Sequence, residues 1–351
     1  MYAEQSKQIS FYDEPVYART VPKDHFLRKV STAIDFKFVN ELCKDLYCQD
    51  NGRPCWEPQL MFKILFLQFL YDLSDREIGA EITDRMSFKW FLGIPVDEPV
   101  PDFSVLTVFR DRLGPERFAK IFNQVVNAAR AHKLVSNKLH IIDATDVKAK
   151  VDQFRITEEI KKSEENNKDD KDKQSQGKFD TPDSDAKFGR KSGNKKFYGY
   201  KEHIRMDAES GIIVDCKTTP GNESDCSQFK DLLSTAPPPG VITADKGYDS
   251  KENHQLLSEK HVRNGIILRS NHTKFYTYPK RVSRIAKKYR PFIEHKFAEL
   301  KNRHSLKVAR YWGIAKVTTQ GYLTAIVANC KRIIRLLDSL HGPPRILLRT
   351  V

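Results

Sequence analysis

The sequence of 351 residues lacks the long apolar run that a membrane-spanning helix needs. Its longest apolar stretch, residues 60–70, is too short to cross a bilayer and is interrupted by Lys63 and Gln68. The polar start MYAEQSKQISFYDEP shows no secretory signal. These absences predict a buried helix at residues 60–70 and a cytoplasmic protein with no membrane partner.

The six cysteines are scattered and lack the paired CxxC spacing of a zinc site. Cys43, Cys48 and Cys55 are the closest group, and no histidine stands near them in the sequence. We therefore interpret the cysteines as reduced thiols of the core, as expected in a reducing compartment.

Basic residues outnumber acidic ones, with 60 Lys plus Arg against 46 Asp plus Glu and a formal net charge of +14. A positive charge of this size attracts a polyanion such as nucleic acid. Many solvated basic proteins bind no DNA, so the charge favours such a partner without identifying it.

The chain between about residues 35 and 133 has a helical pattern, with apolar residues recurring at three- and four-residue spacing. Pro58 is suited to the first position of a helix, and Ser74 with Glu77 has the spacing of a capping box. The pattern predicts a compact helical module that includes a candidate helix-turn-helix. A helical bundle that never touches DNA has the same pattern.

The periodicity changes at about residue 139, where three segments in succession have the pattern of strands. They are HIIDATDVKA, FYGYKEHIRM and GIIVDCKT, with a turn at residues 207–211. A helix at 225–234, a strand at 240–244, a helix at 250–260 and a strand at 264–268 complete the prediction. This order predicts an α/β fold with a mixed sheet, as in RNase H-like domains. Residues 151–190 are almost free of apolar side chains and predict a disordered insertion.

Three acidic residues are candidates for one metal site: Asp143, Asp245 and Glu294. The two aspartates each follow an apolar run of strand length, residues 139–142 and 241–244, and the glutamate lies at the start of a predicted helix. If the sheet brings them together, they could hold two divalent cations for phosphodiester chemistry. Asp146 is an alternative first ligand, but we prefer Asp143 because it directly follows the apolar run.

Arg290 and Lys301 lie four residues before and seven residues after Glu294, so that all three fall near one face of a helix. Two cations beside a metal-bound carboxylate would contact phosphate oxygens on either side of a scissile bond. An ordinary solvated helix has the same spacing of charges. Asp249 or Ser250, which follow Asp245 closely, can cap the next helix, and Asp249 is therefore interpreted as a structural residue.

Several blocks resemble the catalytic domain of bacterial insertion-sequence DDE transposases: HIIDAT, FYGYKEHI, VITADKGYDS and RPFIEHKFAELK. RTVPKDHFLRK, LSDREIG, WFLG and PDFSVLTVFRDRL are similar to their N-terminal helical domain, so that the resemblance runs from about residue 15 to 338. The insertion-sequence-five group is the most similar. The family's helix signature places a tyrosine where Lys287 stands here, with Tyr289 displaced beside Arg290, and Ala144 replaces a frequent glycine.

The resemblance implies an RNase H-like domain in which Asp143, Asp245 and Glu294 bind two Mg²⁺ ions, with Mn²⁺ as a substitute. It implies a nucleoid-associated transposase that binds terminal inverted repeats as a homodimer, cleaves double-stranded DNA and joins the 3′ ends to target DNA. The predicted domains are a helical DNA-binding or assembly domain at 1–135, a catalytic domain at 136–340 and a tail at 341–351. A non-catalytic DNA-binding regulator and a nuclease that never joins strands are the alternatives.

Overall fold

A computed structural model describes residues 12–48, 55–152, 154–156, 158, 183–190, 196–234, 237–270 and 280–341. The described part of the N-terminal region is helical. Its helices are α1 Asp13–Thr20, α2 Phe26–Ala33, α3 Phe38–Cys43, α4 Pro58–Tyr71, α5 Asp75–Asp84, α6 Met86–Leu92 and α7 Phe103–Ala131, with a 3-10 turn at Lys44–Leu46. The helical pattern expected for residues 35–133 is thereby confirmed, and two further helices precede it.

Local chemistry sets several of these helix ends. Pro58 is the first residue of α4, where its missing N–H costs no hydrogen bond. The side chain of Ser74 accepts from the backbone N–H of Glu77, and the Glu77 carboxylate accepts from the N–H of Ser74. This capping box starts α5 as expected. Gly114 has a φ of 65° and interrupts α7 just before Pro115, so that α7 consists of two helices joined at a kink.

The C-terminal region contains one mixed sheet. Its strands are β1 Leu139–Lys148, β2 Lys187–Arg190, β3 Lys196–Asp207, β4 Ile213–Pro220, β5 Val241–Ala244 and β6 Arg263–Ile266. The antiparallel strands β4, β3 and β1 are followed across the sheet by β5 and β6, which run parallel to β1. This is the order of an RNase H-like domain, and it confirms the predicted fold class.

Helices cover both faces of the sheet. They are α8 Asp225–Leu232, α9 Lys251–Glu259, α10 Lys280–Arg303 and α11 Ile314–His341, with a 3-10 turn at Lys246–Tyr248. A small apolar cluster joins Ile142, Ile242 and Ala244 to α8 and α9. A larger one joins the other face to α10, α11 and the N-terminal helices. None of the helices in the described ranges is long and apolar enough to cross a membrane.

Two expectations need correction. The insertion expected at 151–190 extends too far, because residues 187–190 form β2 and pair with residues 196–199 of β3. Residues 159–182, which carry most of its charged run, lie outside the described residues, as do 342–351 of the predicted tail. Glu294 was expected at the start of its helix, but α10 begins at Lys280 and contains Glu294 in its interior. Pro291 is suited to a first helical turn, and this local preference does not mark the observed helix start.

Candidate active site

Asp143 lies on β1, and Asp245 directly follows β5, the parallel strand beside it. The ladder between β1 and β5 ends with the pair Ile142 and Ala244. Continuing that register by one residue sets Asp143 opposite Asp245, and residues opposite each other in a sheet point to the same face. The strand order of the sheet therefore brings together two acids that are far apart in the sequence.

Each aspartate is oriented by the backbone that follows it. Asp143 Oδ1 accepts from the N–H of Ala144 at 2.8 Å, and Asp245 Oδ1 accepts from the N–H of Lys246 at 2.5 Å. The second oxygen of each carboxylate is not used in these bonds. Both side chains line a small cavity between the sheet and α10, together with Arg290 and Ile293.

Glu294 does not line this cavity, but it contacts Arg290, which does. Arg290 Nε lies 3.2 Å from Glu294 Oε1, and Arg290 Nη2 lies 3.4 Å from Asp245 Oδ2. One guanidinium group thus links the second acid to the third. Ile293 and Phe297 bury the other side of α10 in the core and so fix the helix against the sheet.

The local electrostatics favour binding of a cation. The pKa of Asp143 is raised to about 7. Burial is the main cause and the charge of Asp245 acts in the same direction, while the N–H of Ala144 and the charge of Arg290 lower the pKa. A carboxylate that is costly to ionise beside a second carboxylate gains when a positive ion neutralises it. Arg290 neutralises the negative charge of the acids only in part, so that a bound cation would stabilise their ionised form.

The donor set fits a divalent cation in chemistry, since carboxylate oxygens are the ligands that Mg²⁺ and Mn²⁺ prefer. Within the described ranges, however, no three His, Cys, Asp or Glu side chains are grouped closely enough to hold a metal ion. Asp143 and Asp245 lie side by side, whereas Arg290 contacts one oxygen of Asp245 and one of Glu294. The three acids therefore suit a divalent cation in chemistry, with Arg290 as a competing partner for two of them.

Lys301 lies elsewhere on α10 and has an acidic partner. Its Nζ donates to Asp146 Oδ1 at 2.8 Å, and both side chains are largely buried. Asp146, the alternative first ligand, is thus engaged with a lysine, while Asp143 stands beside Asp245. Whether Lys301 contacts phosphate stays a prediction, because it would have to leave Asp146 to do so.

Three further residues that the sequence analysis singled out have structural surroundings. Tyr289, displaced by two positions from the family's tyrosine, packs against the core and lies 5.7 Å from the ring of Phe292. Asp249 accepts from the backbone N–H of Arg269 at 2.6 Å and contacts His254 at 2.7 Å. Ser250 accepts from Asn253 and caps α9. Asp249 and Ser250 therefore stabilise the loop after Asp245, as expected.

A fourth acid near the site was not predicted. Asp225, the first residue of α8, accepts from Lys201 at 2.8 Å, and its charge raises the pKa of Asp143. Its other oxygen packs against Gly247, where an added Cβ would lie 3.5 Å away. The sequence around Asp225 carries no strand-end or helix-face signal, so only the fold reveals that it supports the turn after Asp245.

Comparison with known proteins gives two family matches. Residues 15–112 match the family described as "Transposase domain (DUF772)", and residues 137–330 match the "Transposase DDE domain". A relative from Neisseria meningitidis serogroup B, "Transposase for insertion sequence element IS1106", is 35% identical over 163 residues. That alignment covers 46% of this chain and 54% of the relative, so it spans about half of each protein.

One solved structure is a distant neighbour. The cryo-EM structure of a piggyBac transposase synaptic complex with hairpin DNA aligns with 95% of this chain and 77% of its own, at 10% identity and a TM-score of 0.41. A likeness at this distance adds nothing to the architecture described above.

Proposed function

Because this chain belongs to the DDE transposase family of bacterial insertion sequences, we propose that it catalyses transposition of its own element. It binds the terminal inverted repeats, cleaves phosphodiester bonds there with water, and joins the freed 3′ ends to target DNA. The observation that carries the proposal is the placement of Asp143 beside Asp245, with Glu294 linked to Asp245 through Arg290.

In this proposal Asp143, Asp245 and Glu294 hold two Mg²⁺ ions, for which Mn²⁺ can substitute. When bound, the ions polarise the scissile phosphate and activate water or a 3′ hydroxyl for in-line attack. Arg290 orients the phosphate through its paired N–H groups, because a guanidinium group matches two phosphate oxygens at once. Lys301 adds a second phosphate contact if it exchanges Asp146 for DNA.

The partners follow from charge and architecture. A net charge of +14 suits double-stranded DNA, both the inverted repeats and the target. We propose that residues 1–135 recognise the ends or assemble the complex, and that residues 136–340 perform the chemistry. Within that first region α4 is buried almost throughout, so groove recognition would fall to neighbouring helices such as α5. A homodimer on DNA, in the bacterial nucleoid, completes the proposal.

A cleavage-and-joining assay on DNA that carries the ends of the source element tests this function. We expect Asp143→Asn, Asp245→Asn and Glu294→Gln each to abolish cleavage, by about a thousandfold or more, while end binding changes little. Each substitution removes a metal-binding charge and keeps the shape of the side chain. Glu299→Gln is the matched control on the same helix, since Glu299 pairs with Lys296 away from the cavity.

The assay also separates the alternatives. A regulator derived from a transposase would bind the ends without cutting them, and a nuclease would cut without joining. Normal cleavage by any one of the three variants would remove that acid from the proposed triad.

A further inference from the structure

The guanidinium group of Arg290 stands where a metal ion would need to bind. It lies within 3.4 Å of Asp245 Oδ2 and within 3.2 Å of Glu294 Oε1. Both are oxygens that the two acids would offer to a cation. Since a guanidinium group and a divalent ion repel each other, the two compete for these oxygens. In this arrangement Arg290 partly neutralises Asp245 and Glu294.

The contacts of Arg290 are weak enough to be exchanged. Its side chain is 46% exposed, and those of Asp245 and Glu294 are 28% and 59% exposed. Ion pairs that are this open to solvent contribute little stability, and many contribute nothing measurable. A phosphate diester offers the same guanidinium group two oxygens in bidentate geometry, which is a stronger arrangement. A DNA backbone at the site can therefore draw Arg290 away from the acids.

We propose that Arg290 couples metal binding to DNA binding: it blocks the acids in the DNA-free protein and releases them when its guanidinium group turns to a DNA phosphate. The inference rests on the proposed function, since DNA is the ligand that displaces Arg290. The protein then binds metal weakly until DNA is present, which keeps the hydrolytic centre incomplete away from its substrate.

Mn²⁺ titration of the full-length, DNA-free protein, read out by the electron paramagnetic resonance signal of free Mn²⁺, tests the block directly. Arg290→Gln should raise the affinity for Mn²⁺ about fivefold, because it removes two exposed ion pairs and the competing charge. Arg284→Gln is the matched control, since Arg284 is an exposed arginine on the same helix. The affinity gain should vanish in the double variant Asp245→Asn/Arg290→Gln, which places the ion at this site.

The same titration with duplex DNA, corrected for Mn²⁺ bound by the duplex alone, tests the coupling. DNA should raise the Mn²⁺ affinity of the wild type more than that of Arg290→Gln, because the variant has no block to release. Equal DNA-induced gains, or no gain of Arg290→Gln over Arg284→Gln without DNA, overturn the proposal. Failure of the cleavage assay alongside the expected DNA-free gain would instead reject transposase activity, so the two failures are distinguishable.

Discussion

Glu202 is a deeply buried carboxyl group of the β3 strand. It is 2% exposed, and its side chain accepts a hydrogen bond of 2.5 Å from Thr218 Oγ1. Helix α11 packs on it at Gly321, where an added Cβ would lie only 2.7 Å from Glu202 Oε2. Burial raises the pKa of Glu202 from 4.5 to about 8, and the bond from Thr218 opposes this shift. The folded protein therefore favours the protonated form of this side chain.

This raised pKa predicts how stability depends on pH. Since the folded state holds the proton more tightly than the unfolded state, the contribution of Glu202 is fully present below pH 4.5 and is lost as pH rises through about 8. Glu202→Gln should remove this dependence and make the protein more stable than the wild type above pH 8. Each unit of pKa shift corresponds to roughly 1.4 kcal/mol.

Urea unfolding between pH 5 and about 9 measures the effect, with Glu209→Gln as the control. Glu209 is exposed and pairs with Lys138 at the surface, so its variant should keep the wild-type slope. A Glu202→Gln variant with the same slope as the wild type would show that Glu202 is not protonated in the fold.

At the scale of elements, α10 is the part that completes the site. It carries Arg290 and Glu294, which contact each other. Further along, it carries Lys301, which pairs with Asp146 of β1. The Asp146–Lys301 pair is largely shielded from solvent, with 11% and 18% of the two side chains exposed. It therefore ties the helix that carries the third acid to the strand that carries the first.

Lys301→Met tests this connection. We expect a loss of about 2 kcal/mol of unfolding free energy, since the change removes the largely buried charged hydrogen bond from Lys301 to Asp146. Asp146→Asn/Lys301→Met should cost less than the sum of the two single variants, because both remove the same interaction. Lys307→Met, at an exposed lysine six residues later, is the control.

The result also bears on the phosphate contact predicted for Lys301. A wild-type unfolding curve for Lys301→Met, together with weaker DNA binding, would favour the phosphate contact over the structural pair. Loss of both stability and DNA binding would indicate that the lysine serves in both.

At the scale of the whole molecule, the two predicted domains share one apolar core. A single cluster runs from Leu27 in α2 to Ile334 in α11. The rings of Phe122 and Tyr322 lie 5.8 Å apart across the boundary, and Lys29 pairs with Asp338 at 2.8 Å. The last helix of the chain is thus part of the packing of the first ones.

A fragment of residues 1–135 should therefore not unfold cooperatively by itself, because the apolar face of α7 that contacts α11 would be exposed to water. Calorimetry and near-ultraviolet circular dichroism of this fragment measure the effect. Co-expression with a fragment of residues 136–351 should restore the cooperative transition. A cooperative melt of 1–135 alone would show that the N-terminal helices form an independent core.

The sequence by itself determined the order of the elements and the identity of the candidate acids. Strand and helix periodicity is encoded within a few neighbouring residues, as are the capping box at Ser74 and the Ser250 cap. Asp143 and Asp245 could be identified because each directly follows an apolar run. Only Asp245 proves to follow a strand end, since β1 continues beyond Asp143 to Lys148. Glu294 depended on the resemblance to a family, because its own surroundings do not distinguish it from Glu299.

Only the tertiary structure decided what these residues contact. Arg290 reaches Asp245 across 45 residues of sequence, and Lys301 reaches Asp146 across 155. Such contacts depend on strand register and on how α10 packs against the sheet, which no short pattern encodes. No short pattern predicts β2 either, because it pairs with the part of β3 that extends beyond β4. Nor does a local rule predict that the helix around Pro291 continues on both sides of this proline. Local chemistry selected the reactive side chains, and long-range packing decided which of them meet.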